Sequence, residues 1–183
     1  MAVLQNAETR MNKSIEKLKR DLSTLRTGRA SSALLENITV DYYGAPTPIN
    51  QMAQVTIPEP TQLVIKSYDR SVLKDIEKAI YEANIGLTPN NDGEVIRLNV
   101  PAPTEERRRE LAKSVKGYAE EAKVAIRNVR RDANDELKKM QKNSEITEDG
   151  LKGQTDDVQK LTDKKVKEVD AIAAEKEKDI MSI

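Results

Sequence analysis

The sequence predicts an α+β, mainly helical protein, in which an antiparallel three-helix bundle carries a small inserted α/β domain rich in β-strand. All seven prolines lie between Pro46 and Pro103, whereas the 45 residues before and the 80 after contain none. Proline interrupts helices, so long helices should flank a turn-rich middle segment. We therefore assign residues 1–29 and 105–183 to the bundle and residues 30–104 to the inserted domain.

The first segment has the apolar spacing of one long helix. Its heptad positions carry Leu4, Met11, Leu18 and Leu25, with Ile15 and Leu22 interleaved and Glu8 as the one polar break. Such a repeat forms a continuous apolar seam along one helix face. Thr27-Gly28 marks the predicted end, because glycine tolerates the left-handed conformation that closes helices.

The middle segment alternates apolar and polar residues with the period of two that β-strands require. The alternating apolar positions are Ile38, Val40 and Tyr42; Val55 and Ile57; Leu63 and Ile65; and Ile96, Leu98 and Val100. Between them, Ser71 is a candidate cap for a helix bearing Leu73, Ile76 and Ile80. Asn91-Asp92-Gly93 is a turn signal.

Two further helices follow Pro101-Ala102-Pro103. The second long helix should begin after Thr104, with Glu105 and Glu106 complementing its dipole, and should run to about Lys142, on the order of 55 Å. Its apolar stripe consists of Leu111, Val115, Ala119, Ala122, Ile126, Val129, Ala133, Leu137 and Met140. The last helix carries Val158, Leu161, Val166, Val169, Ile172, Ala173 and Ile180. Gly150 and Gly153 weaken its start.

The two connections between the domains should lie side by side, because an inserted domain must leave and rejoin the bundle at one end. They are Gly28-Arg29-Ala30 and Pro101-Ala102-Pro103, with the second hinge region extending to residue 104. Two adjacent short connections are a natural hinge.

The amino-acid composition of the chain argues against most classes of enzyme. The chain contains no Cys, His, Phe or Trp and only five Tyr. These absences leave no disulfide, no thiolate nucleophile, no zinc site of the usual kind and no imidazole base, and little aromatic lining for a small-molecule pocket. We expect no catalytic residue, no metal and no cofactor. No stretch approaches the roughly 18 uninterrupted apolar residues of a membrane span, so a cytoplasmic protein without membrane contact is expected.

Charge on the second long helix is segregated, although Lys+Arg and Asp+Glu cancel at 31 each over the chain. At about 100° per residue from Ile126, the cations that we call the basic ridge fall between about +40° and +140°. The basic ridge comprises Arg130, Lys123, Lys116, Arg127, Arg109, Lys138, Lys113 and Arg131. The opposite flank carries Glu110, Glu121, Asp132, Asp135 and Glu136, and Glu120 is an acidic exception within the ridge.

Two interpretations of the ridge remain open at this point. A charged helix face can simply maintain solubility through i,i+4 pairs. A one-sided ridge also suits a phosphate backbone, and arginine favours bidentate phosphate contacts. A coiled-coil scaffold that binds only protein is an alternative function, whose binding high salt should leave nearly unchanged. A hydrolase would require an activated group that the missing His and Cys make hard to build.

Five motifs resemble the bacterial ribosome recycling factor family, in order and over essentially the whole chain. They are LRTGRA from Leu25, DYYGAPTP from Asp41, TEERR from Thr104, RNVRRDAN from Arg127 and DDVQKLTD from Asp156. The resemblance implies an L-shaped protein with a hinged α/β domain. It also implies a non-enzymatic, monomeric factor that acts after translation termination. Such a factor binds large-subunit ribosomal RNA near the intersubunit bridges and, with elongation factor G and its GTP, splits the ribosome and releases mRNA and tRNA.

The same resemblance implies which residues contact ribosomal RNA. By motif these are Arg127, Arg130 and Arg131, with Arg26 and Arg29 at the end of the first helix. The wheel position alone adds Lys116, Lys123 and Arg109. Gly28-Arg29-Ala30 and Pro101-Ala102-Pro103 match the family hinge, and elongation factor G is expected to press on the inserted domain and hinge side.

Overall fold

The computed structural model describes residues 2–183, which form two compact units. The first contains residues 2–25 together with Glu105–Ser182, and the second contains Arg26–Thr104. The first boundary thus falls between residues 25 and 26, not between 29 and 30 where the sequence places it. The second boundary falls between residues 104 and 105.

Within residues 2–183, eleven α-helices and β-strands form these units, joined by two short 3-10 helices, and three of the α-helices are long. In chain order they are α1 (Ala2–Thr24), β1 (Thr39–Tyr42), β2 (Ala45–Pro48), α2 (Ile49–Met52), β3 (Ala53–Glu59), β4 (Gln62–Ser67), α3 (Leu73–Glu82), β5 (Pro89–Asn91), β6 (Ile96–Asn99), α4 (Glu105–Lys142) and α5 (Glu148–Met181). The predicted fold class, a mainly helical protein with a small antiparallel-sheet domain, is confirmed.

The bundle unit packs α4 antiparallel to both α1 and α5. Ascending positions on α1 meet descending positions on α4, since Arg10 contacts Asp132 and Lys17 contacts Glu121. The same reversal relates α4 to α5, where Lys123 contacts Asp170 and Arg130 contacts Gln159. With 38 residues, α4 is about 57 Å long at 1.5 Å per residue.

Apolar side chains at helical spacing form the core of this unit, and α4 supplies eight of them. These are Leu111, Val115, Ala119, Ala122, Ile126, Val129, Ala133 and Leu137. On α1 the buried stripe shifts near the start, so Val3 and Ala7 are buried whereas Leu4 is only partly buried. On α5, Thr162 and Lys165 are buried at seam positions that the sequence does not mark as apolar.

Local chemistry sets the ends of the long helices. α1 ends at Thr24, earlier than the predicted Thr27-Gly28, and α4 ends at Lys142 as expected. Ser144 adopts a left-handed conformation with φ 60° and breaks the path between α4 and α5. The hydroxyl of Thr147 then accepts a hydrogen bond from the Gly150 N–H at 3.0 Å and caps α5.

The second unit contains a four-stranded antiparallel sheet in the order β3-β4-β6-β5 and a separate β1-β2 hairpin. Leu63 and Ile65 on β4 lie opposite Leu98 and Ile96 on β6, and all four side chains are fully buried. α3 adds Leu73, Ile76 and Ile80 to the same core, so the sheet is covered on one face.

Three local expectations for this unit need correction. β2 and β5 were not predicted because each contains proline, which only edge strands and two-stranded ribbons accommodate. Ile57 is 45% exposed, not inward-facing, because the ladder shifts register between Thr56 and Glu59. Ser71 does not cap α3: Asp69 caps the short 3-10 helix Arg70–Val72 by accepting from the Ser71 N–H at 2.9 Å, and Val72, the residue before α3, forms no side-chain cap hydrogen bond.

None of the helices within residues 2–183 combines the length and apolar character that a membrane span requires.

Candidate nucleic-acid interface

The two charged flanks of α4 meet different neighbouring helices. On the acidic flank, Asp132 pairs with Arg10 of α1 at 2.7 Å, and Glu121 pairs with Lys17 of α1 at 2.7 Å. Glu121 raises the pKa of Lys17 above its ordinary value, because its carboxylate accepts the ammonium hydrogen bond and carries the opposite charge. The acidic flank therefore contributes to the packing of α1 against α4.

The basic ridge faces α5 along its inner edge. The ammonium group of Lys123 forms an ion pair with Asp170, and only 20% of the Lys123 side chain is exposed. Arg130 donates from Nη1 to Oε1 of Gln159 at 3.2 Å. These two ridge residues thus have partners on the neighbouring helix, which the wheel of a single helix cannot show.

The ion pair between Lys123 and Asp170 joins two heptad columns of opposite charge, one on α4 and one on α5. Every seventh residue is basic along part of α4, namely Arg109, Lys116, Lys123 and Arg130. Every seventh residue is acidic along α5, namely Asp149, Asp156, Asp163, Asp170 and Glu177. In an antiparallel pair such columns run beside each other and favour one register. Helix pairing therefore accounts for Lys123 on the ridge, and the acidic column is the sequence signal for this pairing.

The outer edge of the ridge is more open to solvent. Arg127 is half-exposed and its Nη1 lies 3.4 Å from Oε1 of Glu120, the acidic exception on the same helix. Arg131 and Lys116 are exposed, and neither forms a side-chain hydrogen bond or ion pair with any of residues 2–183. Exposed cations without an internal counter-charge are the ones best able to bind an external anion.

The remaining candidate residues lie at the start of α4 and in the second unit. Arg109 is exposed and pairs with Glu105 of its own helix at 2.5 Å. Arg26 and Arg29 are exposed in the segment that follows α1, outside any helix. They belong to the second unit, whereas the ridge belongs to the first.

The two predicted hinge segments contact each other within the second unit. Gly28 has φ +74°, and a Cβ placed on it would lie 2.9 Å from Cδ of Pro103 and 3.4 Å from the carbonyl oxygen of Pro101. The Ala30 N–H donates to the Pro60 carbonyl at 2.7 Å, and the Val100 N–H donates to the Thr61 carbonyl at 2.7 Å. Both segments are therefore held against the same β3-β4 turn.

The arrangement of α4 suits the binding of a negatively charged partner. The ridge offers guanidinium and ammonium donors over several turns, and arginine can bind phosphate through two parallel hydrogen bonds. Among the residues described, no group of three or more acidic side chains could hold a metal ion. Such a row of donors can recognise a polyanion.

Known proteins of one family match this chain over nearly its full length. A family model described as ribosome recycling factor matches residues 18–181. The ribosome-recycling factor of Geobacillus thermodenitrificans is 60% identical and covers 99% of this chain and 98% of its own length.

Two solved structures are also similar. A solution structure of a ribosome recycling factor is 42% identical, covers 100% of this chain and 97% of its own, and has a TM-score of 0.71. The other structure comprises models of the T. thermophilus ribosome recycling factor and E. coli elongation factor G bound to the E. coli post-termination complex. It is 46% identical, covers 98% and 97% of the two chains, and has a TM-score of 0.62. Because the family model and these relatives match almost the whole chain, the chain belongs to the ribosome recycling factor family.

Proposed function

We propose that this protein recycles ribosomes after translation termination. It binds large-subunit ribosomal RNA of the post-termination ribosome near the intersubunit bridges. With elongation factor G, and with GTP hydrolysed by that partner, it separates the subunits and releases mRNA and tRNA. Family membership carries this proposal, together with the relative that occurs with elongation factor G on a post-termination complex.

The basic ridge of α4 is the proposed contact with ribosomal RNA. Its outer members Arg127 and Arg131, with Lys116, present positive charge to solvent, and Arg130 projects between α4 and α5. Each phosphate that such a side chain neutralises releases condensed counterions, which favours binding and makes it salt-dependent. Arg26, Arg29, Lys123 and Arg109 are further candidates for the same contact.

The proposed role requires no catalytic group in this chain. The sequence contains no G-x-x-x-x-G-K-[ST] phosphate-binding loop, and the free energy of subunit separation is assigned to the GTPase cycle of the partner. Elongation factor G would act on the second unit, and the contacting segments around Gly28 and Pro103 would serve as the hinge. We place the protein in the cytoplasm, where its proposed partner, the ribosome, is located, and propose that it acts as a monomer.

The direct test is subunit splitting of purified post-termination complexes, followed by light scattering. We expect splitting when this protein, elongation factor G and GTP are all present, and little splitting when any one is omitted or GTP is replaced by a non-hydrolysable analogue. Splitting that proceeds equally well without this chain would refute the assignment.

A further inference from the structure

Arg130, the ridge arginine nearest the α4 seam, donates a hydrogen bond to a side chain of α5. That α5 side chain in turn donates to a second side chain of α5. Arg130 donates to Oε1 of Gln159 at 3.2 Å, and Gln159 donates from Nε2 to Oδ1 of Asp163 at 2.9 Å. Gln159 and Asp163 lie one turn apart on α5, within the DDVQKLTD motif. The chain of hydrogen bonds therefore runs from α5 across the helix pair to the ridge.

The chemistry of Asp163 fixes the orientation of the Gln159 amide. An ionised carboxylate only accepts hydrogen bonds, so the amino group of Gln159 must face Asp163. The amide oxygen then faces the opposite way, toward Arg130, whose guanidinium only donates. Reversal of the amide would put two donors against each other and two acceptors against each other, so one orientation is favoured at both ends.

The contact to Arg130 is distinctive because its acceptor is uncharged. The ridge cations Lys123, Arg127 and Arg109 each have a carboxylate partner, whereas Arg130 forms an ion pair with no carboxylate of residues 2–183. One of the five N–H groups of its guanidinium is used by Gln159, and the full positive charge is kept. The side chain is thus oriented without being neutralised.

We propose that Gln159 and Asp163 are positioning residues that preorganise Arg130 for its contact with ribosomal RNA. The inference rests on the proposed function. It assigns a role to the DDVQKLTD motif of α5, which lies outside the basic ridge of α4. A side chain already held in its bound rotamer loses less conformational entropy when phosphate binds. Gln159 and Asp163 act through Arg130 and need no contact with RNA.

The test is a double-mutant cycle on binding to purified large subunits. Gln159→Met removes the amide while keeping a side chain of similar length, and Arg130→Met removes the guanidinium. We expect Gln159→Met to weaken binding about three- to ten-fold, in the range of coupling between contacting residues. In the Arg130→Met background, Gln159→Met should cause no further loss. Asp163→Ala should behave like Gln159→Met, but more weakly.

Two further variants distinguish a positioning role of Gln159 from general destabilisation of the bundle. Gln159→Met combined with Arg131→Met should show additive losses, because the Arg131 side chain forms no hydrogen bond with Gln159. Gln159→Glu should weaken binding and also lower its salt dependence, because a carboxylate beside Arg130 competes with phosphate. Gln5→Met, an exposed glutamine substitution on α1, is the matched control and should bind as the unaltered chain does.

The outcomes distinguish this inference from the proposed function. Failure of the unaltered chain to bind large subunits would overturn the proposed function and the inference with it. Normal binding by the unaltered chain, with losses from Gln159→Met and Arg130→Met that add, would overturn the inference alone. A Gln159→Met variant that binds normally would have the same effect. Gln159 and Asp163 are exposed, so thermal unfolding should show that these variants remain folded.

Discussion

At the scale of single residues, Gly28 lies where the two connecting segments approach each other closely. Residues that carry a Cβ rarely adopt its φ of +74°, and the neighbouring Pro103 ring is too rigid to move aside easily. Both the backbone conformation and the close approach therefore require glycine.

Gly28→Ala should lower the free energy of unfolding by about 1–3 kcal/mol, because it combines left-handed strain with an overlap on Pro103. Gly86→Ala is the matched control, since Gly86 has φ +79° with nothing within 4 Å of its added Cβ. Denaturant unfolding of both variants should show a larger loss for Gly28→Ala. Equal losses would mean that the contact with Pro103 contributes nothing.

Asp92 is the residue whose titration should be visible in the acid stability of the protein. Its carboxylate accepts hydrogen bonds from the Val95 and Glu94 N–H groups, both at 2.9 Å, and pairs with Arg97. These contacts, with the backbone hydrogen bond from Val95 the largest, lower the pKa of Asp92 from 3.8 to about 2. A carboxyl whose folded pKa is depressed stabilises the fold above its ordinary pKa and loses that effect as pH falls.

The contribution of Asp92 should therefore be complete above about pH 4 and lost between about pH 4 and pH 2. Asp92→Ala should lower stability at neutral pH and flatten the stability curve in that acid interval. Asp41→Ala removes one exposed carboxylate from β1 and controls for the change in net charge. Unfolding curves between pH 7 and pH 2 test this. A steep acid limb that survives unchanged in Asp92→Ala would contradict it.

At the scale of elements, α5 begins where a single hydroxyl satisfies its first turn. Thr147 has extended backbone angles, φ −77° and ψ 166°, and caps the Gly150 N–H. Glycine at positions 150 and 153 gives this end poor intrinsic helix propensity, so the cap matters more than it would before an alanine-rich turn.

Thr147→Ala should destabilise the protein by about 1 kcal/mol through loss of the cap. Thr147→Ser retains the hydroxyl, and serine is at least as good a cap as threonine, so this variant should keep the stability of the unaltered chain. Thermal or denaturant unfolding of the full chain compares the two variants. If serine and alanine were equally destabilising, the cap would not be the cause.

The elements show where sequence reasoning succeeds and where it stops. The end of α4 at Lys142 and the strands around Leu63 and Leu98 follow from local pattern alone. β2 and β5 do not, because proline in their sequences argues against strands unless the pairing partners are known. Thr162 and Lys165 are placed on the seam by helical geometry, and their residue types conceal it.

The sequence alone predicts only part of the candidate site, for a similar reason. A helical wheel places Lys123 and Arg130 on the basic ridge, but it cannot show that α5 lies against that edge. The acidic heptad column from Asp149 to Glu177 carries the missing information, yet it becomes useful only once the antiparallel pairing is known. Arg131 and Lys116 are exposed and have no internal partner among residues 2–183, a property that follows from three-dimensional packing.

At the scale of the whole molecule, the chain has equal numbers of acidic and basic residues, but the two kinds of charge lie on different flanks of α4. Acidic side chains of α4 are used against α1, and the inner edge of the basic ridge is used against α5. The outer edge remains available for an external polyanion. The proposed function thus depends on ridge arginines that have no carboxylate partner on a neighbouring helix, and not on net charge.

The measurement that tests this most directly is the salt dependence of binding to purified large ribosomal subunits. The ridge variant Arg127→Gln, Arg130→Gln, Arg131→Gln is compared with Lys13→Gln, Lys19→Gln, Arg20→Gln, which removes equal charge from exposed positions of α1. We expect the ridge variant to bind more weakly and to lower the slope of log affinity against log salt by about two to three units, roughly one for each lost phosphate contact. The α1 variant should keep the slope of the unaltered chain. Equal slopes for the ridge variant and the unaltered chain would contradict the assignment of the α4 ridge as the RNA-binding face.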